Sequence, residues 1–192
     1  MDLEAVKRYL EKGGETASAV DGLPPRFLEP LIMNALKVDL IETGRVVCSM
    51  KIPPRLLNAG NSLHGGAIAA LVDVVGSAAI PTVGYSAPNT GVSVEINVSY
   101  LDAAYADVSR LLSLVIRCLW LVMQIIHVFG QLDFVPFIWT ANSPVEEIEI
   151  EARALRVGKA VAVISVEFKK KKTGKVFAQG RHTKFLPLSS KM

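Results

Sequence analysis

The sequence predicts an α+β domain in which one long central helix is wrapped by a curved antiparallel β-sheet. Two observations carry that prediction. The run from Ala67 to Ile80 is apolar nearly all round, and a helix of that kind has to be enclosed. Strand-like segments stand in two groups, two before this run and four after it, rather than alternating with helices as in a doubly wound sheet.

Each element follows from local chemistry. Leu3, Val6 and Leu10 fall on one face of a short helix that Gly13 and Gly14 end. Its acids, and the lack of an apolar run, exclude a secretory signal or transit peptide. A loop with three prolines follows, Asp21 to Ile32. Leu36 to Ile52 reads as two strands about the turn Glu42-Thr43-Gly44, and the loop Pro53 to Ser62 leads into the apolar helix, which ends near Gly84. Gly91 to Leu101 alternates strictly, with Val92, Val94, Ile96, Val98 and Tyr100 on one face and Ser93, Glu95, Asn97 and Ser99 on the other. That is the pattern of a half-buried strand. Glu146 to Leu186 supplies three more strands, turning at Val157-Gly158-Lys159 and Thr173-Gly174.

The 192 residues suffice for one domain with a sizeable core, and the expected organisation has four parts. Residues 1–35 form a helix and loop, 36–107 with 146–187 the main domain, 108–145 an apolar insertion, and 188–192 a tail. A net charge of +3 is too mild to indicate nucleic acid, and the lysines Lys169 to Lys172 read as a solvated hairpin tip. Cys48 and Cys118 have neither metal-ligand nor disulfide spacing, which favours a reducing compartment. No Cys/His metal cluster, Gly-rich nucleotide loop or G-x-S-x-G elbow is present, so no metal or separate cofactor is expected.

The chemistry concentrates on the apolar helix. Asp73 is a lone carboxylate in its middle. It is either a structural acid satisfied by neighbouring amides and hydroxyls, or a catalytic one, because perturbed acids gather at active sites. At the helix start, His64-Gly65-Gly66 leaves backbone amides directed outward, where they and the helix dipole favour a negative oxygen. An oxyanion contact and a carboxylate together suggest acyl chemistry. Gly65 and Asp73 nevertheless lie about 12 Å apart along one helix at about 1.5 Å per residue. If they act on one group, Asp73 comes from a second copy, and the expectation is a twofold dimer with two sites.

The segments N-A-G-N-S-L-H-G-G, Asp73 on the same helix, G-V-S-V-E-I-N-V-S-Y and T-G-K-V-F-A-Q-G-R-H-T-K resemble the hotdog-fold acyl-CoA thioesterases, from Leu36 to Leu186 apart from the insertion. The resemblance implies a hotdog fold, dimers and commonly tetramers, and acyl-CoA as substrate, CoA being part of that substrate. It implies Asp73 as general base or nucleophile and the Gly65 amide polarising the thioester carbonyl. Asn58 and His64 would orient the thioester or support the oxyanion, and Ser93 would position the attacking water. For His64 a capping or loop-fixing role stands beside the catalytic one. Tyr100, Leu101 and the turn Arg156-Val157-Gly158-Lys159 would contact CoA. Phe185 departs from a polar residue in similar proteins. The rivals are a hotdog hydratase or dehydratase and a catalytically silent acyl-CoA-binding or scaffold protein.

Two segments stand apart. Val108 to Val145 is far more apolar than its surroundings and holds Trp120 and Trp139. As a membrane span it is marginal, since Arg117, Gln124 and His127 are each costly in lipid. Its removal joins two strands through a short connection, and Val108-Ser109 can be encoded by GTAAGT, a favourable splice donor. The preferred reading is a retained intron or a mis-predicted exon, with a membrane-surface or partner-binding helix behind it. The tail Ser190-Lys191-Met192 differs by one residue from the peroxisomal Ser-Lys-Leu address, so the expected location is cytoplasmic or peroxisomal.

Overall fold

A computed structural model describes residues 25–85, 90–105 and 146–187, together with residues 7, 22 and 23. The expected N-terminal helix at Leu3 to Leu10, the insertion 108–145 and the tail tripeptide lie outside the described residues, apart from the single position Lys7. The chain divides into two units, residues 1–34 and 35–192. The first contains a short helix, α1 (Leu28–Met33), which corrects the reading of Asp21 to Ile32 as loop throughout.

The second unit runs β1 (Lys37–Glu42), β2 (Arg45–Lys51), α2 (Gly65–Ala79), β3 (Val92–Tyr100), β4 (Glu147–Val157), β5 (Val161–Lys170) and β6 (Val176–Phe185), with single 3-10 turns at Pro54–Leu56 and Pro81–Val83. The six strands form one antiparallel sheet in the order β1-β2-β4-β5-β6-β3, and α2 packs against it: the hotdog arrangement. Gly44, with φ of 73°, closes the β1–β2 hairpin, and Gly174, with φ of 69°, the β5–β6 hairpin. These are left-handed positions that glycine occupies without strain.

The core lies between α2 and the inner face of the sheet. Ile68, Leu71, Val72, Val75 and Ala79 of the helix meet the layer of Ile148, Ile150, Ile164, Val166, Phe168 and Ala178. Two glycines set how closely they approach. A Cβ on Gly180 of β6 would come within 2.5 Å of Val72 Cγ2, and one on Gly76 of α2 would lie 3.3 Å from His182 Nδ1. Helix and sheet therefore pack nearly backbone to side chain where Asp73 is carried.

Three further sequence expectations need correction. Strand β3 is not half-buried within one chain: Val92 and Val94 are 69% and 67% exposed, because β3 is the sheet edge. Its alternation is also interrupted. Ser93 pairs with Lys184 but Glu95 pairs with Thr183, so Val94 is an extra residue at a β-bulge. Directly paired residues share a face, and Lys184 and His182, two apart on β6, are both buried on the helix side. Ser93 consequently joins Ile96, Val98 and Tyr100 on that side instead of the polar row of Glu95, Asn97 and Ser99. Thirdly, α2 is not enclosed all round. The sheet covers one face, while Ala69, Ala70, Asp73, Val74, Ser77 and Ala78 stay partly or fully exposed.

Candidate active site

The loop into α2 is built on Asn58. Its Oδ1 accepts from the backbone N–H of Gly60 (2.9 Å) and Ser62 (3.1 Å), and its Nδ2 donates to Ser62 Oγ (2.9 Å). Asn58 thus organises the turn that delivers the helix, with one amide hydrogen still available. His64 is the N-cap. Its Nδ1 accepts from Gly66 N–H at 2.9 Å, which places the ring proton on Nε2. That cap leaves the first amide of the helix, on Gly65, without an acceptor among the described residues. Tyr100 fixes the same residue from the strand: its hydroxyl donates to the Gly65 carbonyl at 3.0 Å, and its ring lies 3.4 Å from where a Gly65 Cβ would sit.

Two turns along the helix, the Asp73 side chain is 45% exposed and sits in a polar cluster. Ser77 Oγ donates to Asp73 Oδ1 at 3.4 Å, Ser93 Oγ donates to the same oxygen at 3.3 Å, and His182 Nε2 and Lys184 Nζ lie 3.5 and 3.7 Å from it. Behind this first ring, His182 Nε2 is 2.9 Å from Ser93 Oγ, and Lys184 Nζ donates to Ser77 Oγ at 2.7 Å and to Thr90 Oγ1 at 3.4 Å. Burial lowers the His182 pKa, Asp73 opposes that, and Lys184 adds to it, so the imidazole is held neutral.

Of the residues marked out by the sequence, Asp73 and Ser93 therefore meet, and Asn58, His64, Gly65 and Tyr100 form a second group. The two groups belong to opposite ends of β3, near Ser93 and near Tyr100. Leu101 is exposed beside the second group, its N–H donating to Phe177 O at 2.8 Å. Arg156 and Lys159 are exposed at the β4–β5 hairpin, which Gly158 N–H closes on Val161 O at 2.8 Å. That hairpin lies at the Ser93 end, since Val161 and Val92 both pair with Phe185. Sequence reasoning gave no role to Ser77, His182 or Lys184. The available signal was a histidine and a lysine two apart on a strand, in phase with Ala178.

Other groups can be set aside. Cys48 is no nucleophile: burial, aided by Asp39, pushes its thiol up to about 11. Among the described residues no cluster of His, Cys, Asp and Glu is arranged to hold a metal ion. A cavity of about 480 Å³ on the outer face of the sheet is lined by Asn97, Arg153, Glu167 and Arg181, among others, and includes neither Asp73 nor Gly65.

A helix packed on a six-stranded antiparallel sheet carries, among the described residues, an amide without an acceptor at its start and a half-exposed carboxylate midway. A family model described as the thioesterase superfamily matches residues 60–118. Human acyl-coenzyme A thioesterase 13 is 32% identical over 152 residues, which is 78% of this chain and 80% of the relative. The chain belongs to the thioesterase superfamily. Among solved structures it is similar to zebra fish thioesterase superfamily member 2, with a TM-score of 0.60 and 28% identity over 90% of this chain and 94% of that one. Mouse thioesterase superfamily member 2 gives a TM-score of 0.58 and 27% identity over 84% and 89%.

Proposed function

We propose that the chain hydrolyses acyl-CoA thioesters to the free carboxylic acid and CoA, at a site assembled from two copies of itself. The observation that carries this is the separation of two complementary groups on one helix. Gly65 offers a free amide and Asp73 a half-exposed carboxylate, too far apart to serve one thioester in the same chain. The exposed face of small residues around Asp73, and the uncovered edge strand β3, leave room for a second copy with α2 alongside its partner. The 32% identity to an acyl-coenzyme A thioesterase supports the substrate class.

In this reading the thioester carbonyl oxygen accepts from Gly65 N–H of one copy, where the helix dipole favours the developing negative charge. Asp73 and Ser93 of the other copy hold a water. Asp73 takes its proton while the oxygen adds to the carbonyl carbon, and the carbon–sulfur bond then breaks, the thiolate of CoA being protonated as it leaves. Direct attack by Asp73, with hydrolysis of the resulting anhydride, uses the same placement. Asn58 and His64 hold the loop that aims the amide. Arg156 and Lys159 offer cations to the phosphates of CoA, with Val157 and Gly158 shaping the turn and Tyr100 and Leu101 flanking the Gly65 end. Two compartments are proposed with this activity, the cytosol and, through Ser190-Lys191-Met192, the peroxisome. A fluorescent tag at the N-terminus separates them, as diffuse or punctate signal.

Thiol release from a panel of acyl-CoA substrates tests the activity, and mixing tests the shared site. Gly65→Pro removes the amide while suiting the first helical position after an extended His64, and Asp73→Ala removes the carboxylate. Each alone should be nearly inactive. Co-expressed, half of the dimers carry one of each, with one intact site of two, so about a quarter of wild-type activity should return. No recovery would place Gly65 and Asp73 in one chain's site, and folded protein that binds CoA without releasing thiol would favour the non-catalytic reading.

A further inference from the structure

We infer that His182 is a positioning residue that acts through Ser93: it orients the serine hydroxyl onto Asp73 Oδ1 and so leaves Oδ2 as the oxygen that works on the substrate or water. The inference rests on the thioesterase reading above and adds to it an outer partner that sets the reacting geometry. Four polar groups surround Asp73, and all of them, Ser77, Ser93, His182 and Lys184, approach Oδ1. Oδ2 takes no hydrogen bond from the described residues. One carboxylate oxygen is anchored and the other is open.

The direction of the anchoring bonds follows from His182. The ring is fully buried, and its Nδ1 has no partner among the described residues. Suppose the proton sat on Nδ1. A buried N–H donor would then be orphaned, Nε2 would turn a lone pair toward Asp73 Oδ1 at 3.5 Å, and the Ser93 hydroxyl would have to spend its hydrogen on the ring. With the proton on Nε2 these conflicts disappear. Nε2–H donates to Ser93 Oγ at 2.9 Å, Ser93 O–H donates to Asp73 Oδ1 at 3.3 Å, and Nδ1 keeps only a lone pair facing Gly76. Ser93 then has a lone pair left for one hydrogen of a bound water while Asp73 Oδ2 accepts the other. The water's own lone pair is thereby turned toward the carbonyl carbon. Lys184 and Ser77 anchor the same oxygen from the other side, with Lys184 Nζ donating to Ser77 Oγ and Ser77 O–H to Oδ1.

The fit depends on absent side chains as well. Gly76 admits the imidazole against the helix, and the bulge at Val94 brings Ser93 to its side of the strand.

Two measurements on the full chain test the inference. The first needs no activity: long-range nitrogen–proton NMR correlations of histidine-labelled protein should show His182 as the neutral Nε2–H tautomer, its resonances moving in Ser93→Ala. An Nδ1–H tautomer or an imidazolium at neutral pH would overturn the inference. The second is a double-mutant cycle. His182→Leu should lower kcat for thiol release about 10–100-fold with KM little changed, the range typical of losing an outer hydrogen-bond partner. In the Ser93→Ala background the same substitution should add almost nothing. Multiplicative losses would overturn the relay and mark His182 as a packing residue. A wild-type chain that releases no thiol from any substrate counts against the proposed function instead, and the tautomer then still decides on His182.

Discussion

At the scale of single residues, the site depends on which way a few protons point. Asp73 is not an acid sealed in hydrocarbon: it is half-exposed and held on one oxygen by two hydroxyls. Replacing it with Asn keeps the shape and removes the proposed base or nucleophile, so kcat should fall by about 10²-fold or more while the melting temperature barely moves. Steady-state kinetics and calorimetry on the same sample check both halves. His182 gives a prediction for stability. Its pKa is lowered in the folded chain by burial, with Asp73 opposing and Lys184 adding, from an ordinary value of 6.5. Above that value both folded and unfolded chains hold it neutral. As pH falls below it the unfolded chain binds a proton that the folded chain resists, so stability should decline from about pH 6.5 downward through the lowered pKa. Melting curves of His182→Leu across that interval should show a shallower decline than wild type, and equal slopes would assign the acid sensitivity elsewhere.

At the scale of elements, α2 is placed by close packing. Gly180→Ala drives a methyl into Val72, and either the helix or β6 must move, at a cost of about 1–3 kcal/mol. Urea denaturation should report that loss, together with lower activity, since the same shift displaces Asp73 from Ser93. The described residues on either side of the stretch 106–145 are fastened to each other. Tyr105 N–H donates to Glu146 Oε2 at 2.7 Å, Tyr105 also bridges to Ser62, and Ile52 N–H donates to Glu146 O at 3.4 Å. Lys170 ties Asp102 to Glu146 across the same point, at 3.3 and 3.4 Å. A chain lacking Val108 to Val145 should therefore fold with its sheet intact. Far-UV circular dichroism and a cooperative melt would bear that out, and an aggregated or molten product would mean the segment is needed for folding.

At the scale of the whole molecule, the proposed site needs a second copy, and the sheet of one chain leaves an edge exposed. Among the described residues strand β3 is an unpaired edge carrying Val92 and Val94, the kind of edge that pairs with another copy unless charge blocks it. Val94→Lys, at the exposed bulge, should shift the protein from dimer or larger to monomer in analytical ultracentrifugation and abolish thiol release together with it. An active monomer would rule out the shared site. On the opposite face Glu151 is nearly buried among Arg45, Arg153 and Lys169, whose charges outweigh the burial that would otherwise raise its pKa and hold it ionised.

The sequence by itself determined whatever depends on neighbours along the chain. The turns at Gly44, Gly158 and Gly174, the apolar helix after His64-Gly65-Gly66 and the number of strands were all legible, because hydrophobic period and turn chemistry are local. So was the placing of an outward-facing amide at the helix start and of Asp73 two turns along the same helix. Tertiary structure alone decided the rest. The bulge at Val94 exists only in the register between β3 and β6, so periodicity put Ser93 on the wrong face. His182 and Lys184 reach Asp73 across more than a hundred residues, through a packing distance that Gly76 and Gly180 set. Whether β3 is half-buried or bare depends on strand order, which places it at the edge. A local pattern fixes the period of an element, whereas phase, partner and exposure come from what folds against it.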